Sequence, residues 1–334
     1  MSEDIEIAAL VADAFDLAGP TAPLRPLRHV SQETWRLDTG SGSALVKRFW
    51  TGPEVPWRTD LEAAMALEER ALAAGIETPE PLRPRSPQFG AAAHIPGYGV
   101  FRAYPFLEHR PLEPADDITA WAGTTLARIQ QLEPPLLQTP PPNWWFNQFP
   151  ACPPEQWEQW REQGHEQRIS WAPALDRNLP LLLEVGDRIL ETFRQAGPHV
   201  MTHRDFEPWN ILIVPAGPLL IDWDVAGPDS AGLEAAHVLI SFARQGQDEP
   251  DPERVRRGVQ AYRDAGGHPI SRPNALARTI GMRLARITQR LAVSLGADLP
   301  SVDSAKAADQ ARTRIEEFPA AVANADRWSE LLTL

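Results

Sequence analysis

The chain has 334 residues, and its hydrophobic and charged fractions of 43% and 23% are those of an ordinary globular protein that is large enough for two lobes. With a formal net charge of −13 the chain has no basic stripe that could neutralise the phosphates of a nucleic acid, so no nucleic-acid partner is expected. An acidic surface would suit a cationic small molecule, but it can equally serve solubility. The single cysteine excludes an intrachain disulfide and fits a cytoplasmic protein.

The first hundred residues have the pattern of a small α/β lobe. The acidic beginning of the chain lacks the features of a signal peptide, and apolar residues then recur at helical spacing over residues 5–17. No apolar run approaches the roughly 20 residues of a membrane helix, so no membrane association is expected. The protein is expected to be a monomer or a homodimer. Strands are predicted at residues 29–31, 34–37, 44–49, 79–82 and 100–104.

Lys47 lies in one of these predicted strands, and it is one of only two lysines in an arginine-rich chain. A compact ammonium that is kept where arginine is otherwise used indicates a point charge for phosphate, although a surface lysine at a strand end would look the same. A helix is predicted next, over residues 60–74. It offers a carboxylate partner for the ammonium: Glu68 is preferred, and Glu62 and Glu69 stay open.

Helical patterns dominate the rest of the chain. The segment 133–154 interrupts them with many prolines and aromatic residues, which predict a long stiff loop whose rings either pack on the helices or border an acceptor site. The last helix is predicted to stop at Pro319. The predicted helices cover residues 118–132, 154–167, 179–195, 233–244, 252–264, 274–295 and 304–318.

The most informative stretch of the chain lies between Asp205 and Asp222. Asp205 is followed five residues later by Asn210, and two apolar runs then flank the turn residues 215–218. Apolar runs around a Pro/Gly turn predict a β-hairpin. Such a hairpin would return Asn210 and Asp222 to the same end of the sheet.

These side chains suit phosphoryl transfer, which needs positioning and charge neutralisation more than covalent help. Asp205 would accept or orient the proton of an attacking hydroxyl, while Asn210 and Asp222 offer the oxygen ligands that Mg²⁺ prefers. His203 is expected to be a hydrogen-bonded scaffold beneath the loop, and Asp224 to be a less suitable ligand than its neighbour. The alternative is an ordinary acidic surface loop, which the combination of motif and hairpin makes improbable.

On these residues the chain resembles the aminoglycoside phosphotransferase family, within the kinase-like fold that also includes choline and homoserine kinases. The resemblance runs over residues 29–242. It implies an α+β, two-lobed, protein-kinase-like fold with a small mixed-sheet lobe at residues 1–107 and a mainly helical lobe at residues 108–334. It also implies an enzyme that uses ATP and magnesium to phosphorylate a hydroxyl of a small molecule, such as an aminoglycoside or another antibiotic.

The resemblance assigns roles to the residues of the motif. Asp205 becomes the catalytic base, with Asn210 beside it, and Asn210 and Asp222 become the magnesium ligands. Lys47 would bind the phosphates of ATP, and Glu68 would orient Lys47.

Further nucleotide and acceptor contacts also follow from the resemblance. Ser31 lies in the predicted phosphate-covering loop, while Tyr104 and Phe106 lie at the hinge, whose backbone would bind adenine. The acceptor candidates share an acidic side chain at or after the catalytic loop: Glu207, Glu234, Asp229 and Asp248. Glu234 also stands where this family often has a structural aspartate before a helix.

The chain departs from the family pattern at several positions. Arg204 and Glu207 stand where the family commonly has glycine and a second histidine, and the loop around Ser31 has no glycine. No group that the chemistry requires is lost, but the acceptor stays open. A kinase for homoserine, choline, a sugar or a nucleoside is the first alternative. A non-catalytic, kinase-like binding protein is a remote one, and a protein kinase is not favoured because D-F-G and A-P-E motifs are missing.

Overall fold

The computed structural model of the chain describes residues 3–27, 34–49, 61–87, 90–140, 152–245, 247, 249–271, 275–297 and 303–333. The chain forms two compact units. The first contains residues Met1–Asp116 and His203–Gly227, and the second contains residues Asp117–Thr202 and Pro228–Leu334. The predicted catalytic stretch therefore belongs to the same unit as the N-terminal strands.

A five-stranded sheet forms the centre of the first unit, with the strand order β1-β2-β3-β5-β4. Its pairings are all antiparallel, whereas a mixed sheet was expected, and hairpins join β2 to β3 and β4 to β5. Two α-helices and a smaller three-stranded sheet complete the described part of this unit. The elements are α1 (Glu3–Ala14), β1 (Arg25–Pro26), β2 (Thr34–Thr39), β3 (Gly42–Phe49), α2 (Leu61–Ala73), β4 (Ala92–Ile95), β5 (Gly99–Pro105), β6 (Arg110–Pro111), β8 (Ile211–Val214) and β9 (Gly217–Leu220).

The alternation of side chains along β3 and β5 separates the core from the chemistry. Val46 on β3 and Ala103 on β5 are buried in one apolar cluster with α1. Lys47 follows Val46, and Arg102 precedes Ala103. Both side chains therefore point to the opposite face of the sheet, where Lys47 and Arg102 lie directly across from each other. Two cations at opposed positions repel each other unless anions are placed near them. This face of the sheet therefore requires carboxylates.

The strand predictions for this unit need two corrections: β1, β4 and β6 were not predicted, and one predicted strand is absent. Residues 79–82 are not a strand, because Pro79 and Pro81 have no N–H to donate to a ladder, and only Leu82 bonds to the sheet, through Ala103 O at 2.8 Å. The strand predicted at residues 29–31 lies outside the described residues.

The second unit is mainly helical. A short two-stranded sheet accompanies the helices. None of the helices among the described residues is long and apolar enough to cross a membrane. The elements are α3 (Thr119–Ile129), α4 (Pro154–Glu166), α5 (Ala172–Gln195), β7 (His199–Thr202), β10 (Gly227–Ser230), α6 (Ala231–Arg244), α7 (Pro252–Asp264), α8 (Ala277–Ser294) and α9 (Ser304–Leu332).

The last helix corrects a prediction. Pro319 does not end α9, which continues to Leu332. Phe318, Val322 and Trp328 are buried along one face of the helix on both sides of the proline. Their burial outweighs the one hydrogen bond that proline removes from a helix.

A close approach of two helices in this unit depends on glycine. A Cβ atom built at Gly123 of α3 would lie 2.4 Å from the carbonyl oxygen of Gly258 of α7. We expect Gly123→Ala to lower the free energy of unfolding by about 1–3 kcal/mol, because the helices must separate and this outweighs the better helix propensity of alanine. Urea unfolding of the variant checks this. Gly19→Ala is the control, since nothing lies within 4 Å of that position; equal stability of the two variants would contradict the packing argument.

Candidate active site

The loop before β8 is built on His203. This ring is fully buried; its Nε2 lies 3.1 Å from the carbonyl oxygen of Ile221, and its Nδ1 accepts the amide of Asp205 at 3.3 Å. One nitrogen therefore donates and the other accepts, which is the pattern of a neutral imidazole. The ring of Trp223 packs against it at a centroid distance of 4.7 Å. His203 is a scaffold beneath the loop, as its sequence position indicated.

Asn210 fixes the carboxylate of Asp205. Its Nδ2 donates to both the backbone oxygen and Oδ2 of Asp205, each at 2.8 Å. Both bonds use the nitrogen of the amide, so the amide oxygen of Asn210 keeps its lone pairs for another ligand. The spacing of five residues thus joins the two side chains that the sequence singled out.

The predicted hairpin is confirmed and brings Asn210 to Asp222. Strands β8 and β9 pair from Ile211 with Leu220 to Val214 with Gly217, and the amide of Ile221 donates to Asn210 O at 3.0 Å. Asp222 follows directly.

Two residues of this site have left-handed backbone. Asp222 has φ 71° and Arg204 has φ 67°, a region that is costly for residues other than glycine. Such strain is common at functional loops that the surrounding structure holds in place.

Lys47 reaches this same point from β3. Its Nζ lies 2.6 Å from Asp222 Oδ1 and 2.8 Å from Asp224 Oδ2. Burial alone would lower the pKa of Lys47, but the two carboxylates outweigh burial and raise it, so the ammonium is charged. Burial would raise the pKa of Asp222, but Lys47 lowers it, whereas burial and the neighbouring Asp222 raise the pKa of Asp224. Lys47 thus forms ion pairs with both aspartates, although the sequence analysis ranked Asp224 below Asp222 as a metal ligand.

The predicted partner of Lys47 is wrong. Glu68 is buried on α2, but its carboxylate accepts the guanidinium of Arg102 and, at 3.0 Å, the hydroxyl of Tyr104. Arg102 carries a forked group on a longer side chain, which suits the buried carboxylate, whereas the ammonium of Lys47 reaches the aspartates. The alternatives do not reach Lys47 either, since Glu62 is exposed and Glu69 pairs with Arg83 at 2.5 Å.

Arg102 is the functional candidate that the sequence analysis missed. It is 1% exposed, and its Nη1 also lies 3.7 Å from Asp224 Oδ1, so it links Glu68 to the aspartate pair. A charged residue inside the apolar strand β5 was the available signal.

The cluster as a whole contains two cations, Lys47 and Arg102, and three carboxylates. The cluster has one carboxylate more than it has cations. The carboxylate of Asp222 and the amide oxygen of Asn210 are oxygen ligands of the type that fits magnesium. No three His, Cys, Asp or Glu side chains form a ready metal cage in the part of the chain that the structure describes. Magnesium characteristically takes few protein ligands together with phosphate oxygens and water.

The hinge positions are engaged differently from the expectation. The Phe106 amide donates to Ser43 O at 3.0 Å, and the guanidinium of Arg36 lies 4.4 Å from the Phe106 ring centre. The Tyr104 hydroxyl is held by Glu68. Ser31 lies outside the described residues.

Two of the acceptor candidates are structural in the second unit. Glu234 and Asp229 are fully buried, and Arg278 lies 3.6 Å and 2.9 Å from their carboxylates. Gln130 donates to Glu234 as well, at 3.1 Å. Both were expected near the acceptor, but a buried carboxylate that is neutralised in this way does not present its charge to a substrate.

Of the remaining acceptor candidates, Glu207 lies in the catalytic loop. Glu207 is 2% exposed, whereas Trp209 beside it is 63% exposed. Trp209 was expected to stiffen the loop, but a ring with this exposure packs little, so it is free to contact a ligand. Asp248 lies outside the described residues.

Comparison with known proteins gives the chain a family. The model of the APH phosphotransferase enzyme family matches residues 23–272, whereas no curated protein sequence matches. Among solved structures, the spectinomycin phosphotransferase APH(9)-Ia, in complex with ADP and spectinomycin, superposes with a TM-score of 0.61 at 14% identity over 98% of both chains. A choline/ethanolamine kinase family protein from Mesorhizobium loti gives 0.61 at 16% identity, again over 98% of both chains.

The amicoumacin kinase hAmiN, in complex with AMP-PNP, Ca²⁺ and Ami, gives a TM-score of 0.66 at 11% identity over 96% of this chain and 94% of that one. At these identities the superpositions establish the kinase-like fold. The family match extends over most of the sequence and includes Lys47, Asp205, Asn210 and Asp222. The chain belongs to the APH phosphotransferase enzyme family and is a small-molecule phosphotransferase with a kinase-like fold.

Proposed function

We propose that the protein is an ATP- and magnesium-dependent O-phosphotransferase that acts in the cytoplasm on a hydroxylated small molecule, such as an aminoglycoside or another antibiotic. The observation that supports this most is the convergence of Lys47, Asp205, Asn210 and Asp222 within one compact unit. A binding protein without activity would not need all four groups.

Asp205 is the base in this proposal. Asn210 holds one of its carboxylate oxygens, which fixes the direction in which the carboxylate meets an acceptor hydroxyl. Positioning of the nucleophile in this way is the main contribution that a protein makes to phosphoryl transfer.

Lys47 is the phosphate ligand. Its ammonium is charged and already lies where negative charge collects, and a phosphate oxygen can replace one of its two aspartates. Asp222 and the amide oxygen of Asn210 would then hold magnesium, which when bound neutralises phosphate charge. Glu68 and Arg102 support Lys47 through Asp224 rather than by direct contact.

Kinases of antibiotics and of choline or ethanolamine are both structural relatives, so a metabolite kinase is the second candidate. Choline and amino sugars are cationic acceptors, and a protein with a net charge of −13 would attract them. The exposed ring of Trp209, next to Asn210, is the surface that we assign to the acceptor.

The proposed function is tested by ATP consumption with panels of aminoglycosides, spectinomycin, amino alcohols, sugars and nucleosides. We expect one of these classes of compound to stimulate ATP consumption by the unsubstituted protein. Asp205→Asn should reduce this turnover by about 10²–10⁴-fold, because it removes the base. The dissociation constant of magnesium-ATP should stay nearly unchanged, as calorimetry can show. An equal loss of nucleotide affinity would contradict the role of Asp205.

The magnesium ligand is tested separately. Asp222→Ala should weaken magnesium-ATP binding at least about tenfold and reduce turnover with it, because it removes the ligand and one partner of Lys47. Titration of magnesium at fixed ATP measures this. Asp13→Ala, at an exposed aspartate that pairs with Arg85, is the control; normal turnover of the Asp222 variant would refute the metal assignment.

The buried pair predicts a stability effect that needs no substrate. Arg102→Met should lower the free energy of unfolding by about 3–5 kcal/mol, because it leaves Glu68 buried without its cation. The double variant Arg102→Met/Glu68→Gln should recover part of this loss. Arg83→Met, which breaks the exposed pair with Glu69, should change stability by less than about 1 kcal/mol. Equal effects of the two arginine variants in urea unfolding would show that the buried pair has no special weight.

A further inference from the structure

The second unit contains a cluster of arginines that lack ion pairs. Five guanidinium groups occur on three neighbouring helices, and no salt bridge or hydrogen bond joins any of them to another of the described residues. Most other arginines of the described chain pair with a carboxylate. The five are Arg244 at the end of α6, Arg283, Arg286 and Arg290 along α8, and Arg314 on α9.

These arginines affect one another. Burial lowers the pKa of Arg283, and the charges of Arg244, Arg286 and Arg314 lower it further. The pKa of Arg314 is lowered by burial and by Arg286 and Arg290. Such mutual repulsion destabilises a folded protein unless an anion offsets it.

Several of the guanidinium nitrogens are also buried without a hydrogen-bond acceptor. They are the Nε atoms of Arg244, Arg290 and Arg314 and the Nη1 of Arg290, for which the described residues supply no partner. A buried N–H without an acceptor is costly, and a charged one more so. Of these residues, Arg244 lines the cavity described below, so its Nε is the donor that an anion in that cavity could complete.

The carboxylates nearby do not neutralise the cluster. Glu317 of α9 is exposed and forms no ion pair with the arginines among the described residues. Glu249 is already held by Arg327 at 2.7 Å and by the indole N–H of Trp328 at 2.9 Å. Among the described residues, five cations face one carboxylate without an ion pair, which leaves a local surplus of positive charge in a protein whose net charge is −13.

A cavity of about 210 Å³ lies between α6, α8 and α9, next to two of these arginines. Arg244 and Arg283 line it together with two carboxylates, Glu317 and the already paired Glu249. A smaller cavity is lined by Arg283, Arg314 and Glu317. A cavity of roughly 150 Å³ can hold a benzene ring, so this one has room for a small ring together with a charged group. Its apolar wall is formed by Ile240, Leu276, Ile280, Ala321, Ala325 and Trp328.

We propose that this cavity binds a small anionic molecule, whose carboxylate or phosphate is held by Arg244 and Arg283 and whose apolar body contacts Ile280. Guanidinium groups are the preferred partners of both anions, because their forked donors match two oxygens at once. The site lies entirely within the second unit and uses none of the residues assigned to phosphoryl transfer. It is therefore a separate ligand site of the protein.

Phenyl phosphate and benzoate are the probes for this site, and benzyl alcohol is the neutral control of similar shape. Calorimetry and thermal unfolding of the full chain at constant ionic strength should show that at least one anion binds once per chain and raises the unfolding temperature, whereas the alcohol does neither. Arg244→Gln/Arg283→Gln should weaken the binding at least about tenfold. Arg256→Gln, at an exposed arginine that pairs with Glu253, should leave it unchanged.

A second variant keeps the test independent of the charge changes. Ala321→Phe should fill the cavity and prevent binding while all five arginines remain. Lys47→Ala should bind the anions normally, because Lys47 belongs to the other unit. The proposal is overturned if neither anion binds, if the alcohol binds as well as the anions, or if the arginine double variant keeps full affinity. It also fails if only Lys47→Ala loses binding, since the anions would then occupy the phosphotransferase site.

Discussion

The cluster around Lys47 depends on a balance between two cations and three carboxylates on one face of a sheet. Lys47 and Arg102 lie opposite each other on β3 and β5, an arrangement that is unfavourable without anions. Glu68 from α2 and Asp222 and Asp224 from the segment after β9 supply them. The helix, the two strands and the catalytic hairpin are thus joined by electrostatic attraction at the place where phosphate and metal are expected to bind.

This balance also gives the cluster two partly separate halves. Arg102 and Glu68 are each 1% exposed and form a structural pair, whereas the side chain of Lys47 keeps 14% exposure and that of Asp222 33%. Charges that are partly accessible to solvent can exchange partners at a smaller desolvation cost than fully buried ones. The half that must change when nucleotide binds is the accessible one, and the other half holds it in position.

Local patterns allowed much of the site to be predicted from the sequence. The hairpin followed from two apolar runs around a turn, and the contact between Asp205 and Asn210 needed only a short loop between them. Contacts between residues that are distant in sequence were harder to predict. Glu68 could be placed on its helix, but the choice between Lys47 and Arg102 depends on side-chain reach across the sheet. The burial of Asp229 and the continuation of α9 through Pro319 both result from packing that no local pattern encodes.

The left-handed backbone at Asp222 limits how this enzyme can evolve. Beyond glycine, aspartate and asparagine are the residues that adopt such a conformation most readily. The position can therefore exchange aspartate for asparagine by a single substitution without rebuilding the loop, whereas most other residues would disturb it. Under the magnesium role proposed for Asp222, a descendant could lose catalysis and keep its fold through that one exchange.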